Sequence, residues 1–395
     1  MTTTIIVTFC ILILLSYSFD ISGKKTRIPG VILLLTLGML IRWISSFFGI
    51  IIPNIQPLIP VLGTIGLILI VLEGSLDLGI TADKFPLIRS TLLSAFALFA
   101  LCTLIFSAGF MLLFHASFLH SLVNAIPLSI ISSTVAISSV ANLDEEKREF
   151  VIYESSFSDI LGVLFFNYFT INNEFTVATG GQFIIQLLLI LVISFGASFL
   201  LGMLLERISH HIKAVPIITL LILIYMLAKI INLPSLLLIL VFGLVLRNIG
   251  LFRFSWLYRF VHPEIIAREI VPFKHLVGEL TFVVRSLFFI LFGFYTDVAM
   301  LLNPESLAVA LALTGFILLS RFSYFSFFQK KLQAPVFYVA PRGLITILLY
   351  LSIPEPLQIP RINDGMLTQV IYLTAFVMMF GLMSYKNKPQ ESSEL

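Results

Sequence analysis

Charge is scarce in this chain. Only 11% of its 395 residues are Asp, Glu, Lys or Arg, against about 25% in an average soluble domain. So little charge cannot clothe a surface facing water, which excludes a soluble globular protein and a solvated disordered chain alike. Cysteine is nearly absent too. Cys10 and Cys102 both fall within apolar runs, where they read as small packing residues, and no disulfide framework is implied. Histidine is sparse and peripheral: His115, His120, His210, His211, His262 and His275 all lie near the ends of apolar runs or in loops. The net charge of +3 sits in loops flanking those runs, so no nucleic-acid partner is indicated.

Apolar surface is abundant. Hydrophobic residues make up 59% of the chain, with 38 Phe, and the mean hydropathy is +1.07. The apolar runs are long and unbroken rather than alternating, so the expected fold is an all-α polytopic membrane protein, not a β-barrel. Runs near the length needed to cross a bilayer, about 20 residues, fall at roughly 4–19, 28–50, 57–80, 86–114, 120–142, 149–170, 181–206, 214–230, 233–250, 272–297, 304–329, 334–353 and 366–385, thirteen in all. The first lacks a basic start and a small-residue cleavage site, so it counts as a span rather than a signal peptide.

Thirteen spans put the termini on opposite sides. Basic residues from Lys24 and Lys25 to Lys386 and Lys388 concentrate in one set of loops, leaving Lys229 and Arg361 in the other. The positive-inside bias therefore places the N-terminus outside and the C-terminus in the cytoplasm of a plasma (inner) membrane. The inside loop at about 251–271, with Trp256 and Tyr258, reads as an interfacial helix. Only a short polar tail follows the last run. A single transmembrane domain over 1–395 is expected, with no soluble regulatory domain.

Two runs are interrupted in similar ways. The fifth reads Pro127-Leu128-Ser129-Ile130-Ile131-Ser132-Ser133-Thr134-Val135-Ala136, and the twelfth contains Pro335 and Pro341-Arg342-Gly343. Hydroxyl runs and Pro/Gly breaks free backbone groups from the helix ladder, which lipid tolerates only where the backbone is buried or lines a cavity. Ser and Thr also serve as plain helix-packing residues. An offset of seven runs pairs the fifth with the twelfth. It also pairs the third, ending Glu73-Gly74-Ser75-Leu76-Asp77, with the tenth, ending Gly293-Phe294-Tyr295-Thr296-Asp297. Inverted repeats with interrupted helices point to a midplane ion site.

The sixth run carries two carboxylates, Glu154 and Asp159. An ionised group at membrane depth costs about 2.5–3.5 kcal/mol on insertion scales, so each needs a use. At about 100° per residue, Ser155 and Asp159 share one helix face, which Gly162 extends and opens to close approach. Glu154 and Ser158 share another. One carboxylate is then free to bind an ion or proton, and the other can pair with an arginine. Arg285, Arg321 and Arg342 are the candidates, since a buried guanidinium seeks a bidentate carboxylate. Glu73 and Glu279 lie toward the inner ends of their runs, where snorkelling to the interface competes with an internal role.

In this order, these features resemble the monovalent cation:proton antiporter superfamily, on the sodium/proton exchanger side and its NhaP-like branch. The resemblance covers essentially the whole chain. The family's Glu-x-x-x-Asn-Asp of the sixth span corresponds to Glu154, Ser158 and Asp159, and its Pro-Arg-Gly of the twelfth to Pro341-Arg342-Gly343. The basic residue of the preceding span is matched by Arg321. The resemblance implies an inverted-repeat fold with two interrupted helices crossing in its core. The first repeat would span about 4–170, a linker helix about 181–206 and a second repeat about 214–385. It makes Asp159 the cation- and proton-binding carboxylate, with Ser155, Ser158, Ser133, Thr134 and Glu73 as further oxygens. Glu154 would pair with Arg321, and Arg342 would stabilise the broken twelfth span. A homodimer in the lipid bilayer is implied.

Two departures stand out. Ser158 replaces the usual Asn or Asp; paired acids accompany electrogenic exchange in the family, so a lone Asp159 implies electroneutral exchange. The fifth span's Thr-Asp-Pro stands here as Thr134-Val135-Ala136, without an acid. Arg285 has no counterpart, and Glu73 or Glu279 are its possible partners. The expected activity is Na+/H+ exchange by competition at Asp159, with Na+, Li+ or K+ and H+ as cargo and no resident cofactor. A K+/H+ exchanger of the same fold and a sodium-coupled organic-anion symporter are the alternatives. An intramembrane enzyme is disfavoured, because no Ser/His or metal-ligand constellation is present.

Overall fold

In a computed structural model the described residues are 2–26, 28–49, 55–171, 177–207, 214–231, 233, 235–251 and 263–385. Among them there are helices and no strands. In chain order they are α1 (Thr2–Thr26), α2 (Gly30–Phe47), α3 (Leu58–Asp77), α4 (Phe85–Phe114), α5 (Phe118–Ser129), α6 (Ser133–Ser139), α7 (Glu145–Ile171) and α8 (Val177–Arg207). There follow α9 (Ala214–Ile230), α10 (Ser235–Arg247), α11 (Pro263–Tyr295), α12 (Val298–Leu301), α13 (Pro304–Phe328), α14 (Gln333–Val336), α15 (Leu344–Leu351) and α16 (Asp364–Ser384).

Each expected apolar run falls on helix. Among the described residues seven spans, α2, α3, α4, the α5–α6 pair, α11, α13 and α16, are long and apolar enough to cross a bilayer, and shorter apolar helices lie within α1, α8, α9 and α10. The two runs left over are α7, whose apolar stretch holds Glu154 and Asp159, and the interrupted α14–α15. The expected interfacial helix at about 251–271 falls largely outside the described residues. Trp256 and Tyr258 lie outside the described residues, and from Pro263 the chain is already in α11, which runs on without a break to Tyr295. Cys102 is buried as expected, but Cys10 is exposed on α1: its run packs through the opposite face, where Ser16 is buried.

Both interruptions form where proline and hydroxyl residues predict them. Pro127 withdraws one N–H from the ladder of α5. Three residues later Ile130 is extended (φ −79°, ψ 134°), and helix resumes at Ser133. In the twelfth run the helix stops at Val336 and restarts at Leu344, leaving Pro341-Arg342-Gly343 outside any helix. The two breaks meet: Ser132 N donates to Pro341 O at 2.9 Å. A side chain on Gly343 would stand 2.6 Å from Ser132 Oγ, so glycine is what lets the two broken segments touch.

α11 packs on α2 and α3. The α2–α11 seam is drawn tight by two glycines. A Cβ on Gly38 would overlap Ile290 O, and one on Gly293 would overlap Leu35 O, the close backbone approach typical of small residues in membrane helix pairs. Arg42 crosses the same seam and donates to Tyr295 O at 3.1 Å and Thr296 O at 3.2 Å, capping the C-terminal end of α11. Asn248, just after α10, donates to Leu78 O at 2.9 Å and accepts from Ile80 N at 2.6 Å, which ties α10 to the end of α3.

Candidate functional site

The helix α7 lies against both halves of the broken α5–α6 segment. Three residues of α7 meet that segment. Gly162 meets Ile130, and a Cβ at this position would overlap Ile130 Cδ1. Ser158 Oγ accepts from Ile131 N at 3.0 Å, meeting a backbone donor that the break set free. Asp159 comes next. Its Oδ2 accepts from Ser133 Oγ at 2.5 Å, at the first turn of α6. Its Oδ1 is buried and has no partner.

An ionised carboxylate with one satisfied oxygen and one bare oxygen is short of a positive charge. A cation or a proton supplies it. Beside Asp159 a narrow cavity bounded by Val71, Gly74, Ser75, Ser156 and Leu240 measures about 10 Å³, room for about one water. Ser156 Oγ, on its wall, is also buried without a partner. Ser75, the other hydroxyl on the wall, donates to Leu72 O on its own helix.

Glu154 looks the other way along α7, as the helical angle requires. It forms a bidentate pair with Arg321 of α13 at 3.1 and 2.9 Å and accepts from Ser94 of α4 at 2.6 Å. Both charges are 1–2% exposed. Arg321 also donates to Val336 O and Phe337 O at 3.0 and 3.1 Å, the free carbonyls at the end of α14. One guanidinium therefore joins α7, α13 and the second break. Arg342 does the matching task for the first break. It donates to Leu128 O at 2.7 Å and Ser129 O at 3.3 Å at the end of α5, and to Ala340 O at 3.0 Å. Its own N–H reaches Thr374 of α16 at 3.1 Å.

The remaining candidates point elsewhere. Ser155 is buried and donates to Val151 O at 2.7 Å on its own helix. Thr134 lies 3.1 Å from Ser132 Oγ and lines a separate cavity of about 30 Å³ with Ser138, Asp20 and Arg285. Glu73 packs toward α11, beside Gly278. Of the expected oxygens, then, Ser133 touches Asp159 directly, Ser158 secures the break beside it, and Ser155, Thr134 and Glu73 are turned away. Arg285 lies 3.8 Å from Asp20 of α1, a partner the sequence did not single out, and its charge also acts on Glu73, one of its two expected partners.

Three working residues had little or no signal in the sequence. Ser94 is one polar residue in a long apolar helix, Thr374 is another, and Ile130 is an ordinary aliphatic. Their roles come from contacts distant in sequence. Among the described residues no group of three or more His, Cys, Asp or Glu side chains gathers as a metal cluster. The oxygens at Asp159 suit a singly charged ion held by one carboxylate.

Comparison with known proteins fits this arrangement. A family profile described as "Sodium/hydrogen exchanger, transmembrane" matches residues 9–383. Two solved structures of the sodium proton antiporter MjNhaP1 from Methanocaldococcus jannaschii resemble the chain. The one at pH 8 has a TM-score of 0.67 at 19% identity, covering 97% of this chain and 98% of that one. The one from an electron-microscopy map has a TM-score of 0.66 at 18% identity, covering 98% and 100%. At such identity the likeness establishes the fold. No curated protein matches the chain.

Proposed function

Because the chain belongs to the sodium/hydrogen exchanger family, we propose that it exchanges a monovalent cation for a proton across the membrane, with Asp159 carrying one or the other in turn. The observation that carries this reading is the bare Oδ1 of Asp159 beside a Ser133 hydrogen bond to Oδ2. Deprotonated Asp159 binds the cation; protonation releases it. A membrane-embedded carboxylate with neither is costly to move, and that penalty couples the two fluxes. With a single such carboxylate, one proton leaves for each cation bound, so exchange is electroneutral.

Ser133 and Ser158 hold the break in place around the site, and the Glu154–Arg321 pair fixes α7 to α13. Ser155, Thr134 and Glu73 are oxygens the ion would meet only in another arrangement of the helices. The repeats at 4–170 and 214–385, joined by the helix at 181–206, would supply that rearrangement. In this reading α4–α7 with α13–α16 form a core that moves against α1–α3 and α8–α11, the usual way inverted-repeat transporters alternate access. The chain is a multi-pass membrane protein. Its placement in the plasma membrane as a homodimer, N-terminus outside, follows the charge bias and the resemblance.

The test uses proteoliposomes with an internal pH dye. A proton gradient is imposed, then Na+, Li+, K+ or choline is added to wild type and Asp159→Asn side by side. Alkalinisation of an acid-loaded interior by an alkali cation in wild type alone supports the assignment and names the ion, K+ included. Retained exchange in Asp159→Asn removes Asp159 from the role.

A further inference from the structure

The cavity beside Asp159 lies on the seam between the proposed core and the scaffold helices α1–α3 and α8–α11. On the core side α7 supplies Ser156, Asp159 and Val163; on the scaffold side α3 supplies Ile70 and Gly74, and Leu78 follows at its end. By the span count the two helices run in opposite directions. Leu78 and Ser156 therefore mark one end of the cavity, and Ile70 and Val163 the other.

The end at Leu78 is tied shut. The hydroxyl of Tyr153 on α7 donates to Gly79 O, the next residue after Leu78, at 2.7 Å. Tyr153 is buried and precedes Asp159 on α7 by less than two turns. The carbonyl it meets is held in place by the scaffold. Asn248 grips the residues on both sides of it, donating to Leu78 O and accepting from Ile80 N. Arg247 packs on Gly79 itself, where a Cβ would stand 3.4 Å from the guanidinium. The charges of Lys84 and Arg247 both reach Tyr153, and both residues belong to the basic loops that the charge bias puts in the cytoplasm. The opposite end of the seam is looser. There α3 lines a cavity of about 510 Å³ through Ile59, Gly63 and Leu67, facing Leu348 of α15 and Asp364 of α16. Less than one turn of α3 separates Leu67 from Ile70 of the Asp159 cavity.

From this arrangement we infer that the hydrogen bond from Tyr153 to Gly79 is an inner latch: it shuts the cytoplasmic end of the path to Asp159, and it breaks each time the core turns Asp159 toward the cytoplasm. Tyr153 is then a positioning residue. It touches no ion and acts by setting α7 against the end of α3. The inference rests on the proposed exchange at Asp159 and adds to it the residue that holds the path closed on one side. Tyr153→Phe keeps the ring and removes the donor. It should shift the balance toward the inward-facing form by about fivefold, the factor that the net worth of one neutral hydrogen bond gives.

The experiment reads the exposure of the inner end. Leu78→Cys is placed in a Cys10→Ser background, Cys102 being buried, and inverted membrane vesicles are treated with a membrane-impermeant methanethiosulfonate. Adding Tyr153→Phe to this parent should speed labelling from the cytoplasmic side by about fivefold, while exchange still depends on Asp159. Asn248→Ala, which frees the turn that presents Gly79 O, should do the same, and the two changes together should do no more than either alone. A ring that serves only to pack would alter the melting temperature and not the sidedness of labelling. Equal labelling in the parent and in Tyr153→Phe overturns the inference and leaves the proposed exchange standing. So does faster labelling from both sides alike, which marks a loosened fold. If Tyr153→Phe does not fold, labelling in Asn248→Ala decides in the same way. If exchange does not depend on Asp159 at all, the proposed function fails, and the latch has no path to close.

Discussion

Ser133 Oγ donates to Asp159 Oδ2 at 2.5 Å across the start of α6. A hydrogen bond to an ionised group contributes about 1.5–3 kcal/mol. Ser133→Ala should therefore keep the protein folded yet raise the cation concentration needed for half-maximal exchange by about tenfold or more. Titrating the dye response against Na+ in the variant checks this. An unchanged half-saturation would show that Ser133 does not support the charged form.

Glu154 and Arg321 are buried together, and breaking such a pair from one side costs about 3–5 kcal/mol. Glu154→Gln and Arg321→Met should each lower the melting temperature in detergent strongly. The double variant should lose less than the sum of the two, because no unpaired charge stays behind. Full additivity in this cycle would mean the two side chains do not act as a pair.

Ser158 and Ser155 are both buried serines one turn from Asp159 or less, but they serve different groups. Ser158→Ala leaves Ile131 N without an acceptor in the break and should cost about 1–3 kcal/mol. Ser155→Ala removes only a bond to Val151 O on its own helix, so its melting temperature should stay close to wild type. Thermal unfolding of the two variants in parallel separates them.

Gly162 leaves room for Ile130, and a methyl group there must push it aside. Gly162→Ala should destabilise by about 1–3 kcal/mol through overpacking. Adding Ile130→Val or Ile130→Ala should recover part of that loss. If Ile130 truncation makes Gly162→Ala worse, the contact between the two is not what the glycine is for.

Much of the site was legible from residue type and helical angle alone. The angle between Glu154 and Asp159 predicts that they serve different neighbours, and Glu154 does reach Arg321 while Asp159 meets the break. Gly162 reads as a point of close approach from its place on the Asp159 face. Ser155 shares that face by the same angle and yet bonds to its own backbone. A hydroxyl two bonds from the main chain can satisfy itself one turn back, and spacing does not tell which choice it makes. Thr134 and Glu73 carry the right oxygens, but their direction depends on how α6 turns after the break and how α3 packs on α11. Arg285 shows the limit most clearly. Glu73, one of the two partners expected for it, does feel its charge, but the ion pair within 4 Å is with Asp20, more than two hundred residues away, which the sequence did not single out.

By itself the sequence determined the class of protein, the places where helices run, the two places where they break, and the residues too costly to bury without purpose. These follow from local rules: apolar length against bilayer thickness, proline and glycine against the helix ladder, and charge against lipid. Only the tertiary structure decided that the two breaks touch at Ser132 and Pro341, that Arg321 and Arg342 each close the open end of a broken helix, and that Ser133 is the hydroxyl on Asp159. Those outcomes depend on the packing of helices distant in the chain. Side-chain direction at a helix crossing is set by the neighbour it meets, and local sequence does not contain that neighbour.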